Sequence, residues 1–210
     1  MAWIYERLGQ LYSAGKIYAA KASQIQEMKP GDAVLYVGVG PGEDALLAGR
    51  LGAEVTCIDL APKMLRKVAS RFQAEGAKVS LICGDVRDYY LSGHYDVVVA
   101  NFFLNVFAAR PMQAMLAHLA TLVKPGGKLL ISDFAAPRGG WFARTIQAWY
   151  WGITNIFYYL LGLCAWHPIY DYPNYFQAVG LELSRVRTFP VGRFGPQGFC
   201  AITSVRRALS

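Results

Sequence analysis

Three glycines at every second position, in the run Val34-Leu35-Tyr36-Val37-Gly38-Val39-Gly40-Pro41-Gly42-Glu43-Asp44, separate an apolar stretch from an amphipathic one. Backbone without Cβ atoms turns tightly and comes close to a ligand seated at a helix N-terminus. A G-x-G-x-G loop alone serves dinucleotide binders as well as other nucleotide-shaped ligands. Two carboxylates narrow the choice. Asp59 closes the next apolar run and is placed to accept both hydroxyls of a ribose, and Asp85, in Gly84-Asp85-Val86, follows the third run, where it can accept an adenine amino group. Either aspartate alone is equally a cap or turn residue.

The elements that must position these groups are legible from periodicity. Residues 4–28 carry Ile4, Leu8, Leu11, Ile17, Ile25 and Met28 at helical spacing, and Pro30-Gly31 ends the run. An apolar strand at 33–38, a helix at 42–52, a strand at 54–58, a helix at 62–75 and a strand at 78–82 follow. A fourth strand at 95–100 leads to a helix over 109–123, which Lys124-Pro125-Gly126-Gly127 terminates before a fifth strand at 128–133. Strands this apolar have both faces covered, so the sheet is mostly parallel with helices on each side. Residues 181–189 and 198–205, joined by a loop with Gly and Pro, form an antiparallel hairpin at a sheet edge. One domain accounts for 1–210: a helical cap at 1–30, a ligand-binding core at 31–134, a lid at 135–180 and the hairpin at 181–210.

Five segments in this order, VLYVGVGPGED, CIDLAPKML at 57–65, GDVRDY at 84–89, YDVVVANFFLNVF at 95–107 and LVKPGGKLLISDF at 122–134, resemble the class I S-adenosylmethionine-dependent methyltransferases. The resemblance spans about residues 5–135 and is nearest to the small-molecule and lipid branch, with its ubiquinone/menaquinone C-methyltransferases and bacterial phosphatidylethanolamine N-methyltransferases. It implies an α/β, Rossmann-like doubly wound sheet of order 3-2-1-4-5-7-6, with S-adenosylmethionine over the carboxyl ends of the strands. Gly38, Gly40 and Gly42 would then face the methionine half of the cofactor and Asp59 the ribose, while Leu60 and Met64 line the adenine, Asp85 and Val86 its edge, and Asn101 the floor near the sulfonium. The family's acid two residues before the first glycine is replaced by Tyr36, a neutral phenol at a cofactor-contacting position. Glu43 or Asp44 compensates from the helix start, or cofactor binding is weakened, or the chain has become a binding module without methyl transfer.

Methyl transfer is an in-line displacement, so the enzyme must hold an acceptor opposite the leaving sulfur; a base is needed only where the acceptor carries a proton to lose. His94 precedes the fourth strand, away from the site, and His118 lies mid-helix, which leaves His167 as the histidine to test for catalysis. Asn105 and Asp133, at the carboxyl ends of the fourth and fifth strands, face the acceptor side by topology, with capping as the competing account. No metal site is expected.

Between Arg144 and Asp171 the chain runs TIQAWYWGITNIFYYLLGLCAWHPIY without a charged residue. The polar interruptions and scattered aromatics argue against a membrane span. Ile146, Trp149, Tyr150, Ile153, Phe157 and Leu160 at helical spacing suit a lid, and with Tyr170 they would line a pocket for a hydrophobic small-molecule or lipid acceptor that is quinone-like, polyketide-like or phospholipid. The same segment, 141–170, could lie in a bilayer interface with Arg138 and Arg144 near anionic head groups, or be a plain core helix.

Apolar residues make up 54% of the chain and charged ones 17%, which excludes disorder and leaves an apolar surplus that the uncharged segment accounts for. Glu6 and Arg7 interrupt what would be a signal sequence, so the expected location is the cytoplasm or the inner membrane surface. Scattered Cys57, Cys83, Cys164 and Cys200, three of them in strand-like runs, read as reduced thiols. The net charge of +7 is not concentrated in any block, and Asn101-Phe102-Phe103-Leu104 lacks the Pro-Pro of the nucleic-acid amine methyltransferases, so no nucleic-acid partner is expected.

Overall fold

The computed structural model describes residues 15–137, 140–160, 169–190 and 197–208. Seven strands form one sheet: β1 (Ala33–Val37), β2 (Glu54–Asp59), β3 (Ser80–Cys83), β4 (Tyr95–Val99), β5 (Val123–Phe134), β6 (Leu181–Pro190) and β7 (Gln197–Arg206), in the order β3-β2-β1-β4-β5-β7-β6. The first five run parallel, and β7 pairs antiparallel with both β5 and β6. The expected sheet order and C-terminal hairpin are both present.

Alternation along β1 shows why both faces need cover. Leu35 and Val37 enter one core with Val98, Leu116, Leu119 and Ile131, while Val34 and Tyr36 enter the other with Ala45, Val68, Phe72 and Val99. Helices α2 (Glu43–Leu51) and α3 (Pro62–Ala74) cover the second face, and α4 (Ala109–Leu122) the first. In α3, Pro62 opens the helix, where its missing N–H costs nothing, and Leu65, Val68 and Phe72 form the buried stripe. A short helix α1 (Lys16–Ala22), followed by a 3-10 turn at Ser23–Glu27, packs on β6, β7 and α2. The longer N-terminal helix expected over 4–28 is represented by this part alone; residues 4–14 lie outside the described ones.

Two expectations are corrected. Lys124-Pro125-Gly126-Gly127 does not separate helix from strand: α4 ends at Leu122, Val123 already pairs with Tyr95, and the Pro-Gly-Gly run is an irregularity inside β5 before Lys128 pairs with Val97. β3 is an edge strand, so Cys83 is exposed, whereas Cys57 and Cys200 are buried.

Of the uncharged segment, residues 161–168 lie outside the described ones and residues 145–160 lie in the 20-residue helix α5 (Trp141–Leu160). It is anchored by Trp151, buried against Phe134 and Phe199 at ring-centroid distances of 4.4 and 5.9 Å, and by Gln147, whose side-chain amide donates to the carbonyls of Ala135 and Gln197. Among the described residues no helix is long and apolar enough to cross a membrane. A one-turn helix α6 (Pro173–Phe176) then returns the chain to β6.

Candidate functional site

The sheet order reverses between β1 and β4, and the crevice this opens at the carboxyl ends of the strands is where open α/β sheets take ligands. A cavity of about 250 Å³ lies there, lined by Gly38, Asp59, Leu60, Asp85, Phe103 and Met115 among others. A wider, open depression sits at the opposite end, around Glu54, Thr56, Lys78 and His94, and includes none of the glycine-loop residues or strand-end acids.

The glycine loop leaves β1 with Gly38, Gly40 and Gly42 at φ of 58°, 57° and 74°, a region that side chains other than glycine enter at a cost. At Gly38 the demand is double, because a Cβ there would stand 2.5 Å from Cδ2 of Phe103. Around Gly40 nothing lies within 4 Å of where a Cβ would be, so its backbone has open space beside it.

Asp59 ties the loop to β2: its Oδ2 accepts from the Gly40 amide at 3.3 Å and its Oδ1 from the Ala61 amide at 2.8 Å. Each carboxylate oxygen retains acceptor capacity for a hydroxyl. Asp85 caps the 3-10 turn Val86–Asp88 by accepting from the Arg87 amide at 2.9 Å, and it also receives the Arg87 guanidinium through Nε and Nη2 at 2.9 and 2.5 Å. The guanidinium bonds hold the Asp85 carboxyl below the usual carboxylate range. Val86 is buried, and its carbonyl contacts Nε2 of His118 at 2.7 Å, so His118 braces this wall of the cavity. His94, exposed at the amino end of β4, stacks edge-on against Tyr95.

Not every expected contact is at the cavity. Leu60 projects at its mouth, 70% exposed, while Met64 is half-buried on α3 outside its lining. Tyr36 is a correction: its ring points into the core beneath α2, and its hydroxyl donates to the Asp44 carbonyl at 3.1 Å. Burial, then the neighbouring Asp44, raises its pKa well above the ordinary phenol value, so it stays neutral. The nearby carboxylate belongs instead to Asp44, 3% exposed, whose Oδ2 accepts from Nδ2 of Asn101 at 2.8 Å. Glu43 turns outward to Arg71 at 3.0 Å. Asn101 is buried at the end of β4, its Oδ1 held by the Ser132 amide at 2.9 Å, and the next residue, Phe102, has a φ of 52°. That strained residue sends its ring to Phe134 and Phe199 while Phe103 turns to Gly38.

Asn105 and Asp133 do come together, but in a sealed cluster. The Tyr172 hydroxyl donates to Oδ2 of Asp133, the Phe134 amide to Oδ1 at 2.7 Å, and the Asn105 amide bonds the same carboxyl. Burial pushes the Asp133 carboxyl up to about 7, against the lowering effect of those three donors. Tyr170 is buried beside Tyr172 and donates to the Phe107 carbonyl at 2.9 Å. These groups thus form internal bonds at the carboxyl edge, in place of the acceptor-pocket wall expected of them.

Trp149 is a further correction. It is 69% exposed, on an outward side of α5 with Trp141, Ile146 and Ile156, while among the described side chains of the helix the buried ones are Gln147 and Trp151. A helix that is apolar almost all round does not declare its buried face by periodicity. The side chain of Tyr150 and the whole of His167 lie outside the described residues. Trp151 and Tyr172 were not anticipated; a Trp four residues after a lone Gln was the available signal for the first, while Tyr172 stands 39 residues from Asp133 and carried none. Among the described residues no group of three His, Cys, Asp or Glu side chains could hold a metal ion.

Residues 34–127 match the family model of a methyltransferase domain. A ribosomal protein L11 methyltransferase from Burkholderia ambifaria is 35% identical over 112 residues, which cover 53% of this chain and 35% of that protein. The match thus spans about a third of the length of these curated relatives. The 1,6-didemethyltoxoflavin-N1-methyltransferase of Burkholderia thailandensis, solved with bound 1,6-didemethyltoxoflavin and S-adenosylhomocysteine, superposes with a TM-score of 0.69 at 17% identity over 98% of this chain and 88% of that one. The magnesium protoporphyrin IX methyltransferase of Synechocystis PCC 6803, with bound S-adenosylhomocysteine, gives 0.67 at 22% identity over 91% and 81%. The fold of this chain is the Rossmann-like methyltransferase fold.

Proposed function

We propose that this chain is an S-adenosylmethionine-dependent methyltransferase acting on a hydrophobic small molecule or lipid. One observation carries the reading: the Gly38 backbone, the Asp59 carboxylate bonded to the Gly40 amide and the Asp85 turn meet on one crevice at the point where the sheet order reverses. The residues fit the cofactor. Asp59 would receive the ribose hydroxyls, the Asp85-Val86 turn the adenine edge, and the Gly38–Gly42 backbone and Asn101 the methionine half. Leu60 at the mouth of the cavity would cover the adenine; Met64 is the weakest of the cofactor assignments. The bound cofactor supplies an electrophilic methyl group on a sulfonium. The chain's own work is to bind, to orient and to keep water out, with Phe103 and Met115 as apolar walls.

The acceptor class rests on α5. Its sequence has Arg144 as its one charged residue, and it exposes Trp141, Ile146, Trp149 and Ile156, a surface suited to an apolar acceptor or to the bilayer that holds one. Structural neighbours named for small-molecule substrates support this class. The L11 methyltransferases match over only about half of this chain, so a protein acceptor gains little from them. His167 remains the histidine to substitute in a search for a base.

Calorimetry with S-adenosylmethionine and S-adenosylhomocysteine tests the cofactor. Micromolar binding that Asp59→Ala abolishes supports the reading, and no binding to folded protein refutes it. Transfer of labelled methyl groups to quinones in detergent, or to phospholipids in anionic vesicles, then separates the acceptor classes. Vesicle sedimentation of Trp149→Ala reports whether 141–170 meets the membrane.

A further inference from the structure

The Asp133 cluster stands directly behind one wall of the crevice. Phe103 and Phe107 line the cavity, with ring centroids 5.3 Å apart, and flank a 3-10 turn (Leu104–Val106) whose middle residue, Asn105, bonds the Asp133 carboxyl. Residues 169–172, which lead into α6, form a strap across the same edge. It is fastened at two points: the Tyr170 hydroxyl donates to the Phe107 carbonyl at 2.9 Å, and the Tyr172 hydroxyl donates to Oδ2 of Asp133. One carboxyl therefore joins the cavity wall, the end of β5 and the strap.

No cation answers that carboxyl. Among the described residues the titratable groups set against it are Tyr172 and, beyond it, Tyr170 from the strap, and Cys200, its partner across the ladder of β5 and β7. These are two phenols and a thiol. Burial, then the neighbouring acid, raises the Tyr172 phenol far above its ordinary value, so it remains a donor. Neutral donors return less than the burial of an unpaired carboxylate costs, so the closed cluster keeps a proton that the same acid releases in water. Asn105 suits the neutral acid: its Oδ1 is buried without a partner, and turning the amide over lets that oxygen accept the proton of Asp133.

We propose that Asp133 is a positioning residue that works as a proton-dependent latch. While neutral it holds strap and wall together and keeps the crevice formed; once its proton passes to solvent it draws water, and residues 103–107 and the strap open as a unit. The latch needs no ligand, whereas its effect on ligand binding rests on the cofactor reading given above. A proton held more tightly in the closed state favours closing. Opening therefore becomes more frequent as pH rises from 3.8 to about 7, by up to ~10-fold per unit, and levels off beyond.

Hydrogen exchange measures this opening, with each amide's rate divided by its unfolded-chain rate at the same pH. In the wild type, residues 103–107 and 169–176 should lose protection together, by ~3–10-fold per unit between pH 5 and 7 and little beyond, while standing at least ~10-fold below α4 and β1 throughout. Asp133→Asn should flatten the profile. Tyr172→Phe should lower the protection of the strap at every pH and keep the slope, because the acid remains. Wild-type protection that is independent of pH in both segments overturns the latch, as does protection equal to that of α4 and β1, which means that the cluster opens only when the whole chain unfolds. If Asp133→Asn does not fold, the wild-type profile and Tyr172→Phe decide. Saturating S-adenosylhomocysteine should restore the protection of both segments at pH 8, and binding that leaves them unprotected overturns the coupling to the crevice. Absence of binding refutes the cofactor reading and leaves the ligand-free exchange to decide the latch.

Discussion

Replacing Asp133 with Asn should make the protein more stable above neutrality and leave it little changed near pH 4. The carboxyl is 2% exposed and surrounded by the Tyr172 hydroxyl, the Phe134 amide and the Asn105 side chain, with burial as the dominant influence on its titration. Its pKa rises from 3.8 to about 7 on folding, so between those values the folded chain keeps a proton that the unfolded chain releases. The stabilisation this represents is complete below about pH 4, declines as pH rises, and is gone above about pH 7. At about 1.4 kcal/mol per pH unit the interval corresponds to about 4 kcal/mol at most, and structural relaxation around the charge brings the expected difference to about 2–4 kcal/mol. Asn has nearly the same shape, can still accept from Tyr172, and never ionises. Urea unfolding followed by tryptophan fluorescence, at half-unit steps from pH 5 to 8.5, measures the gap between variant and wild type. Titrations common to both proteins cancel in that gap. A gap that widens with pH in favour of Asn is expected; a gap constant with pH, or one favouring Asp at pH 8, refutes the reasoning.

Trp151→Ala should cost about 3 kcal/mol in the same assay, because it removes the ring that joins α5 to Phe134 and Phe199, whereas exposed Trp149→Ala should stay within about 0.5 kcal/mol. Similar losses from the two would mean that α5 is not anchored as described. Gly38→Ala should cost about 1–3 kcal/mol and weaken S-adenosylhomocysteine binding, since the new methyl meets left-handed backbone and the Phe103 ring at 2.5 Å. Adding Phe103→Ala should recover part of that stability; strictly additive losses in a double-mutant cycle would contradict the contact.

The sequence alone determined the strands and the turns at the carboxyl edge of the sheet, because their signals are local. Apolar strands with alternating faces, left-handed positions that only glycine enters cheaply, and acids at strand ends each act within a few residues, whereas the strand order was what the resemblance of the five ordered segments implied. Asp59, Asp85 and the glycine loop accordingly stand at the crevice. Boundaries set by hydrogen-bond registry were less legible: Lys124-Pro125-Gly126-Gly127 reads as a helix stop, yet pairing of Val123 with Tyr95 draws it into β5. Nor could periodicity choose the buried face of α5, where apolar residues occupy every side and packing against Phe134 and Phe199 selects Trp151 over Trp149. The polar groupings depend wholly on tertiary structure. Asp133 meets Tyr172 across 39 residues, Asn101 meets Asp44 across 57, and Lys21 reaches Asp44 from a helix outside the βα core. The free energy of such contacts comes from shared burial, which no segment has until the chain is folded, so only the assembled structure shows which acids are sealed and which stand at the crevice.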